Sequence, residues 1–344
     1  MVYRLWTINL FRNIAQKNLL LTARGKKLFS YLLKLGILAL AFWFVYHRIL
    51  KNSGNLQNFQ VLVSHITYNK VLNTIVFVVL LMIVNWVLES LKWWYLAKEL
   101  SPMSIMLAIE SVFCGLTWAV FTPNRIGEYA GRVMFLPNRK RIHGVFMMAV
   151  GSFGQNVITN VLGAGASVWF LYSFLNLNSW LMLGISLVAM VFMGLMLTLY
   201  FNIKWMVYLL NRVKFLKKYH RFFDIMAKYT TAELLSIMWF CLARFFVFTF
   251  QYYLIIHLLL PQIPLLQMTL LMFVFFFIQS AMPSLDVLDI GVRSLTAGTL
   301  FSYITDQSIA IVVAVSLIYI VNLIIPAILG SVFVFKLKFF DRTA

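Results

Sequence analysis

The chain has 344 residues, of which 62% are hydrophobic and only 11% are charged, whereas soluble domains are about half apolar and about a quarter charged. This composition excludes a soluble enzyme, because too little polar surface is available to keep such a body in water. It also excludes a disordered chain, which requires low hydrophobicity. The class that fits is an all-α, polytopic integral membrane protein.

The formal net charge is +19, from 29 basic and 10 acidic side chains. The basic residues lie in short stretches between apolar runs, which is typical of cytoplasmic anchors that face anionic lipid, so no nucleic-acid partner is expected. Cys114 and Cys241 lie inside apolar runs and the five histidines show no ligand spacing. We therefore expect neither a disulfide nor a metal site. No nucleotide-binding motif is present, and no cofactor is expected.

The chain begins with a basic segment, residues 1–27, which carries six Lys or Arg residues and no acid. Its apolar residues alternate with the basic ones, and this pattern predicts an amphipathic helix at the membrane surface. An apolar run at 28–47 follows and is predicted to be the first span. The remainder, 28–344, is predicted to form a single transmembrane domain.

Seven further apolar segments follow, and a span needs about 20 residues. Two of them, 103–121 and 265–282, are marginal in length, and each precedes a stretch too polar for lipid. The seven segments are 71–94, 103–121, 144–174, 180–201, 233–260, 265–282 and 307–335.

The charges in the loops distinguish between two topologies. The basic connection at 201–232 is predicted to be cytoplasmic, like the N-terminus. If all eight apolar segments crossed the membrane, the basic triplet at 139–141 would face the outside, against this rule. Treating 103–121 and 265–282 as the first arms of re-entrant helical hairpins removes the conflict. The preferred fold has about six spans and two re-entrant hairpins, with both termini in the cytoplasm.

The order span, hairpin, span occurs twice, in repeat A at about 71–174 and in repeat B at about 233–335, with one helix at 180–201 between them. Three crossings separate the two starts, so the copies insert in opposite orientations. Inverted repeats with broken helices near the middle of the membrane are the architecture of many transporters.

The first charged motif is the sequence TPNRIGEYAGR at 122–132. Thr122 followed by Pro123 is typical of a helix N-cap and first turn. Arg125, Glu128 and Arg132 then share one helix face. The glycines of this motif, Gly127 and Gly131, allow another backbone or a lipid headgroup to approach.

The second charged motif follows Pro283 and carries Asp286, Asp289 and Arg293 at the same offsets. A constant shift of 161 residues relates the two motifs. A charge within a bilayer is costly unless it is paired or lines a wet cavity, and arginines near a helix N-terminus bind phosphate. The alternative is that the arginine–glutamate pairs only hold each turn together.

Other polar residues in apolar runs are secondary candidates. Glu89 and Lys92 form a possible helix pair beside tryptophans typical of the membrane interface. Glu110 and Arg244 are lone charges in apolar segments, which are functional candidates by default. A polar stripe through the fourth segment predicts hydrogen bonds between helices, with substrate contact as the alternative; it comprises Ser152, Asn156 and Asn160, with Gln155 and Thr159 beside them.

These motifs, with the stretch 85–93, resemble the membrane region of the lysylphosphatidylglycerol synthases, a family also described as flippase-like, which has stand-alone bacterial members. The resemblance covers about residues 30–335. The second motif departs from the family pattern, which usually has glutamate where this chain has Asp289. The resemblance implies substrate-binding roles for Pro123, Asn124, Arg125, Gly127, Glu128, Gly131, Arg132, Pro283, Gly291 and Arg293; the charge pattern adds Asp286 and Asp289.

The resemblance implies a protein of the bacterial cytoplasmic membrane that binds and translocates a lipid with an anionic headgroup, either a phospholipid or a polyprenyl-phosphate carrier. Lipid aminoacylation in the family relies on a soluble C-terminal domain, and this chain ends nine residues after Phe335, so lysyl transfer by it alone is not expected. Two alternatives stay open: a membrane-embedded lipid transferase with Glu128 or Asp286 as base, and a non-catalytic partner of a separate lipid-modifying synthase.

Overall fold

The structure is a computed structural model that describes residues 61, 63–64, 66–120, 122, 125–212, 224–282 and 286–334. All of these residues belong to one compact unit, Ile49–Ala344. The predicted surface helix at 1–27 and the predicted first span at 28–47 lie outside the described residues. So do Pro123, Asn124, Pro283 and the side chains of Asp286 and Asp289.

The described part of the chain is helical and contains no strand. Short 3₁₀ turns at Asn138–Lys140 and Met226–Lys228 connect helices, and a π-helical turn at Ile320–Ile324 interrupts the last long one. The α-helices are α1 Tyr68–Ala97, α2 Ile105–Ala119, α3 Ile126–Val133, α4 Arg141–Phe174, α5 Ser179–Phe201, α6 Ile203–Arg212, α7 Thr231–Leu259, α8 Leu265–Ala281, α9 Asp286–Phe301, α10 Ser308–Tyr319 and α11 Ile325–Val334.

Five stretches among the described residues are long and apolar enough to cross a membrane. Each corresponds to a predicted span, which confirms an all-helical, multi-pass membrane protein. The two segments predicted to be marginal form the shorter apolar helices α2 and α8, of 15 and 17 residues. The five stretches are Tyr68–Ala97, Asn138–Phe174, Ser179–Phe201, Thr231–Leu259 and Ser308–Val334.

The helix order long, short, short, long occurs on both sides of α5. The shift of 161 residues between the charged motifs brings the first residues of α1, α2 and α3 within two residues of the first residues of α7, α8 and α9. The correspondence therefore extends beyond the motifs to the helices that carry them.

Corresponding long helices run in opposite directions. Arg244 of α7 bonds to Asn85 of α1, whereas Gln251, two turns of α7 further on, donates to the carbonyl of Val78, two turns earlier on α1. Residue numbers that rise along one helix meet numbers that fall along the other, so α1 and α7 are antiparallel. Within the described unit, α1 and α7 form one of its most extensive helix contacts.

Candidate functional site

The first charged motif is folded tightly back onto α2. A Cβ atom added to Gly131 of α3 would lie 2.6 Å from the Cα atom of Gly115 and 2.9 Å from its backbone nitrogen. No side chain fits at either position without moving backbone, so the two glycines bring α2 and α3 into backbone contact. This contact fixes where the side chains of α3 are presented.

Helix α3 begins later than predicted. Arg125 takes the N-cap position with φ of 57°, the only positive φ of a non-glycine residue in the described chain. This left-handed conformation breaks the helix before Ile126, so the predicted start at Thr122 and Pro123 is wrong. Thr122 still acts as a cap, because its hydroxyl accepts a hydrogen bond at 2.7 Å from the backbone N–H of Gly127.

Glu128 and Arg132 lie one turn apart on α3, whereas Arg125 lies just before the helix, at its N-cap. Glu128 forms an ion pair with Arg125, with 3.1 Å between Nε and Oε2, and accepts a hydrogen bond from Arg132. Arg132 also reaches Glu89 of α1, at 2.6 Å between Nη1 and Oε1.

Glu89 is the centre of a larger charge cluster. Its carboxylate accepts from Lys92, at 2.7 Å, and from Arg244 of α7 as well as from Arg132. The side chains of Glu89, Lys92 and Arg132 are at most 7% exposed. Charges are tolerated inside a protein when they are paired and hydrogen-bonded, and here the carboxylate of Glu89 is paired with three cations. The charge cluster comprises Glu89, Lys92, Arg125, Glu128, Arg132 and Arg244.

Arg244 connects this cluster to a large cavity. Its Nε donates to Asn85 Oδ1 at 3.0 Å, and its guanidinium carbon lies 5.4 Å from the centroid of the Trp86 ring. These contacts and the ion pair with Glu89 hold the guanidinium in one orientation, and Arg244 lines the cavity.

This cavity, the arginine cavity, has a volume of about 720 Å³. Arg125 of α3, Arg244 of α7 and Arg293 of α9 all line it, and none of the described lining residues is acidic. Three guanidinium groups around one space provide a site for phosphate or carboxylate. Amide and hydroxyl side chains line it as well, namely Asn85, Gln155, Asn156, Thr159, Gln279, Ser280 and Asn322.

The cavity brings the two charged motifs together, since Arg125 comes from the first and Arg293 from the second. Arg132 lies in the charge cluster, is 2% exposed and is not among the lining residues. Glu110 is half-buried on α2, and it does not line the cavity. Gly291 is buried on α9.

Part of the polar stripe of α4 forms the predicted hydrogen bonds between helices, and part of it lines the cavity. Ser152 bonds to Tyr129 at 2.8 Å, and Asn160 accepts from Ser280 at 3.5 Å, so these two link helices. Gln155, Asn156 and Thr159 line the arginine cavity.

One expectation based on the sequence was wrong, and one residue of the site was not identified from the sequence. Trp86 and Trp93 were predicted at the membrane interface, but they are 4% and 0% exposed and pack in the core, because α7 and α4 cover this side of α1. Asn322 lines the cavity and was not singled out. A lone asparagine in an apolar run was a usable signal, because such a group needs a partner inside a membrane protein.

Comparison of the chain with models of protein families, with curated proteins and with solved structures finds no match.

Proposed function

We propose that the chain binds a lipid with an anionic headgroup in the arginine cavity and translocates it across the membrane. The observation that carries the proposal is the convergence of Arg125, Arg244 and Arg293 on one cavity whose described lining holds no acid. Guanidinium groups bind phosphate oxygens through paired, charge-assisted hydrogen bonds. A cavity lined by three of them inside a helical membrane protein favours an anionic substrate over a zwitterionic or cationic one.

The architecture supports movement of the lipid as well as binding. The recurring helix order and the antiparallel pairing of α1 with α7 fit two repeats inserted in opposite orientations. In this proposal the fold has six spans and two re-entrant hairpins, of which four spans and both hairpins form the inverted repeats, and rocking one repeat against the other opens the cavity to each side in turn. We further propose that this membrane domain lies in the bacterial cytoplasmic membrane and belongs to the flippase-like family that its motifs resemble.

The transferase alternative has less support. A general base needs a carboxylate whose oxygens are available to the substrate proton. Glu128 is paired with Arg125 and Arg132 and is not among the residues that line the cavity. The side chain of Asp286, the other candidate base, lies outside the described residues. The role of Glu128 in this proposal is to hold the two arginines in place.

A lipid-exchange assay tests the proposal. The full-length chain is reconstituted into vesicles with tail-labelled fluorescent phosphatidylglycerol, phosphatidylinositol or phosphatidylcholine, and movement between leaflets is followed by chemical quenching. We expect at least one of the anionic lipids to exchange faster than phosphatidylcholine. Arg293→Gln should slow this exchange by about tenfold or more, because a charge-assisted hydrogen bond to phosphate contributes about 1.5–3 kcal/mol.

Arg139→Gln is the matched control, since Arg139 is exposed on the 3₁₀ turn after α3 and does not line the cavity. It removes the same charge and should leave exchange unchanged. Exchange at the wild-type rate in folded Arg293→Gln protein, or equal rates for all three lipids, would contradict the proposal.

A further inference from the structure

Two buried oxygen atoms of the arginine cavity have no hydrogen-bond donor within the described part of the chain. Asn322 is 6% exposed, and its Nδ2 donates to the carbonyl of Ile318 at 3.1 Å. Because that partner is a carbonyl, the nitrogen must face it, and Oδ1 is the atom left buried without a partner. Gln155 repeats the arrangement: Nε2 donates to the carbonyl of Cys241 at 3.4 Å, and Oε1 has no partner.

The same cavity contains a buried donor with no acceptor. Trp86 lines it and is 4% exposed, and its indole Nε1 has no hydrogen-bond partner among the described residues. Unsatisfied buried polar groups are rare because each costs free energy. Asn322, Gln155 and Trp86 all line the arginine cavity, so a ligand there that supplies both donors and acceptors would satisfy all three groups.

The backbone around Asn322 adds an independent indication. Asn322 lies in the π-helical turn Ile320–Ile324, and single π turns within α-helices occur frequently at functional sites. The lining residues of this span include Ile318, Tyr319 and Leu323 as well as Asn322, so the π turn forms part of the cavity wall.

Hydroxyl groups fit these three side chains better than an ammonium group does. An ammonium group only donates, whereas a hydroxyl both donates and accepts, so it can satisfy the amide oxygens and the indole N–H. An ammonium would also lie among Arg125, Arg244 and Arg293, whose like charges disfavour it.

The size and shape of the cavity favour a ring that carries these hydroxyls. A volume of about 720 Å³ is that of a site for a drug-sized ligand and far exceeds the needs of a phosphate group. Trp86, Phe248, Tyr252 and Phe276 line it, and the rings of Phe248 and Phe276 are stacked with centroids 5.4 Å apart. Phe248 and Phe276 pack on each other and Trp86 packs against Arg244, so these residues give the cavity an apolar wall that suits the C–H groups of a ring.

We propose that the headgroup is a polyhydroxylated ring joined to the lipid through phosphate, with the arginines on the phosphate and with Asn322, Gln155 and Trp86 on the ring hydroxyls. This inference rests on the proposed function, since it assigns the headgroup of the same lipid.

A charge-matched series of lipids separates the two proposals. Phosphatidylmethanol, phosphatidylglycerol and phosphatidylinositol carry the same single phosphodiester charge but no hydroxyl, a short polyol and a hydroxylated ring, respectively. Their affinities for the purified full-length chain in nanodiscs are measured by competition with a fluorescent phosphatidylinositol. We expect phosphatidylinositol to bind at least about tenfold more tightly than phosphatidylmethanol, because its ring hydroxyls add two neutral hydrogen bonds.

The variants Asn322→Leu and Gln155→Met should each reduce this preference about fivefold or more and leave the affinity for phosphatidylmethanol unchanged, which also shows that they are folded. Gln251→Met is the matched control, because Gln251 is a buried glutamine whose Nε2 also donates to a carbonyl and whose Oε1 also has no described partner, but it does not line the cavity. It should retain the full preference.

Equal affinities across the series, tightest binding of phosphatidylglycerol, or an equal loss in Gln251→Met would overturn the hydroxylated-ring headgroup and leave the anionic-lipid function standing. Binding of none of the three lipids above phosphatidylcholine would overturn both.

Discussion

The two helical hairpins carry the same charge spacing but pack differently. In the first, Gly115 and Gly131 bring α2 and α3 into backbone contact. The shift of 161 places Phe276 and Val292 at the corresponding positions of the second. Their side chains leave no room for such a contact, and among the described residues α9 packs mainly on α10 rather than on α8. Phe276 instead lines the arginine cavity.

The hairpins also differ in the surroundings of their last arginine, which is Arg132 in the first and Arg293 in the second. Arg132 meets Glu89 of α1 and is buried in the charge cluster. The position of α7 that corresponds to Glu89 holds Phe250, which is 44% exposed. Arg293 lines the cavity. The same sequence spacing thus supports two uses: a closed hairpin that anchors arginines, and a more open one that forms the cavity wall.

Replacing Glu89 should have the largest effect on the closed half. Glu89→Gln keeps the shape of the side chain but removes the charge that faces Lys92, Arg132 and Arg244. Losing one partner of a buried ion pair costs about 3–5 kcal/mol of stability. We expect a corresponding loss in the free energy of unfolding, measured by denaturant titration in detergent.

The comparison for this variant is Phe250→Leu, at the corresponding position of the other half. Because Phe250 is exposed and outside the charge cluster, we expect a change within about 0.5 kcal/mol. If Glu89→Gln has the same midpoint of unfolding in denaturant as the wild-type protein, the charge cluster around Glu89 does not stabilise this part of the fold.

Adding one methyl group to the closed hairpin should have the next largest effect. Gly131→Ala forces a Cβ atom against the backbone of Gly115, and overpacking of this kind costs about 1–3 kcal/mol. Gly298→Ala is the control in α9, where the nearest atom to the new Cβ is 3.9 Å away. Since alanine favours helix over glycine, this control should gain up to about 1 kcal/mol. Opposite signs in the two unfolding titrations are the expected result, and equal signs would show that the hairpins are packed alike.

The sequence predicted much of the local structure because local structure depends on local spacing. The apolar runs predicted five of the helices long enough to span a membrane, and the two marginal runs predicted the short helices α2 and α8. The offset of Glu128 and Arg132 predicted that their side chains meet, because residues four apart are neighbours on a helix.

The sequence could not predict which distant residues meet. Glu89 and Arg244 are 155 positions apart, and nothing near either one identifies the other. The cavity likewise needs the N-cap of α3, the helices α1, α4, α7, α8, α9 and α10 and the π turn in their packed arrangement before its arginines share a space. The start of α3 was misplaced because a proline after a threonine usually marks a helix start, whereas the left-handed Arg125 shifts it.

The smallest effect is expected at the cap of the closed hairpin. Thr122→Val retains the branched shape but removes the oxygen that accepts from the N–H of Gly127. Loss of such a cap costs about 1 kcal/mol. Thr299→Val is the control, because Thr299 is exposed on α9 and its hydroxyl bonds only to the carbonyl of Leu295 within the same helix. Amide hydrogen exchange should become several-fold faster at Gly127 in the first variant and stay unchanged there in the second. A similar loss of protection in both variants would mean that the hydroxyl of Thr122 does not close the first hairpin. The second hairpin has no hydroxyl at the corresponding position, which is Pro283.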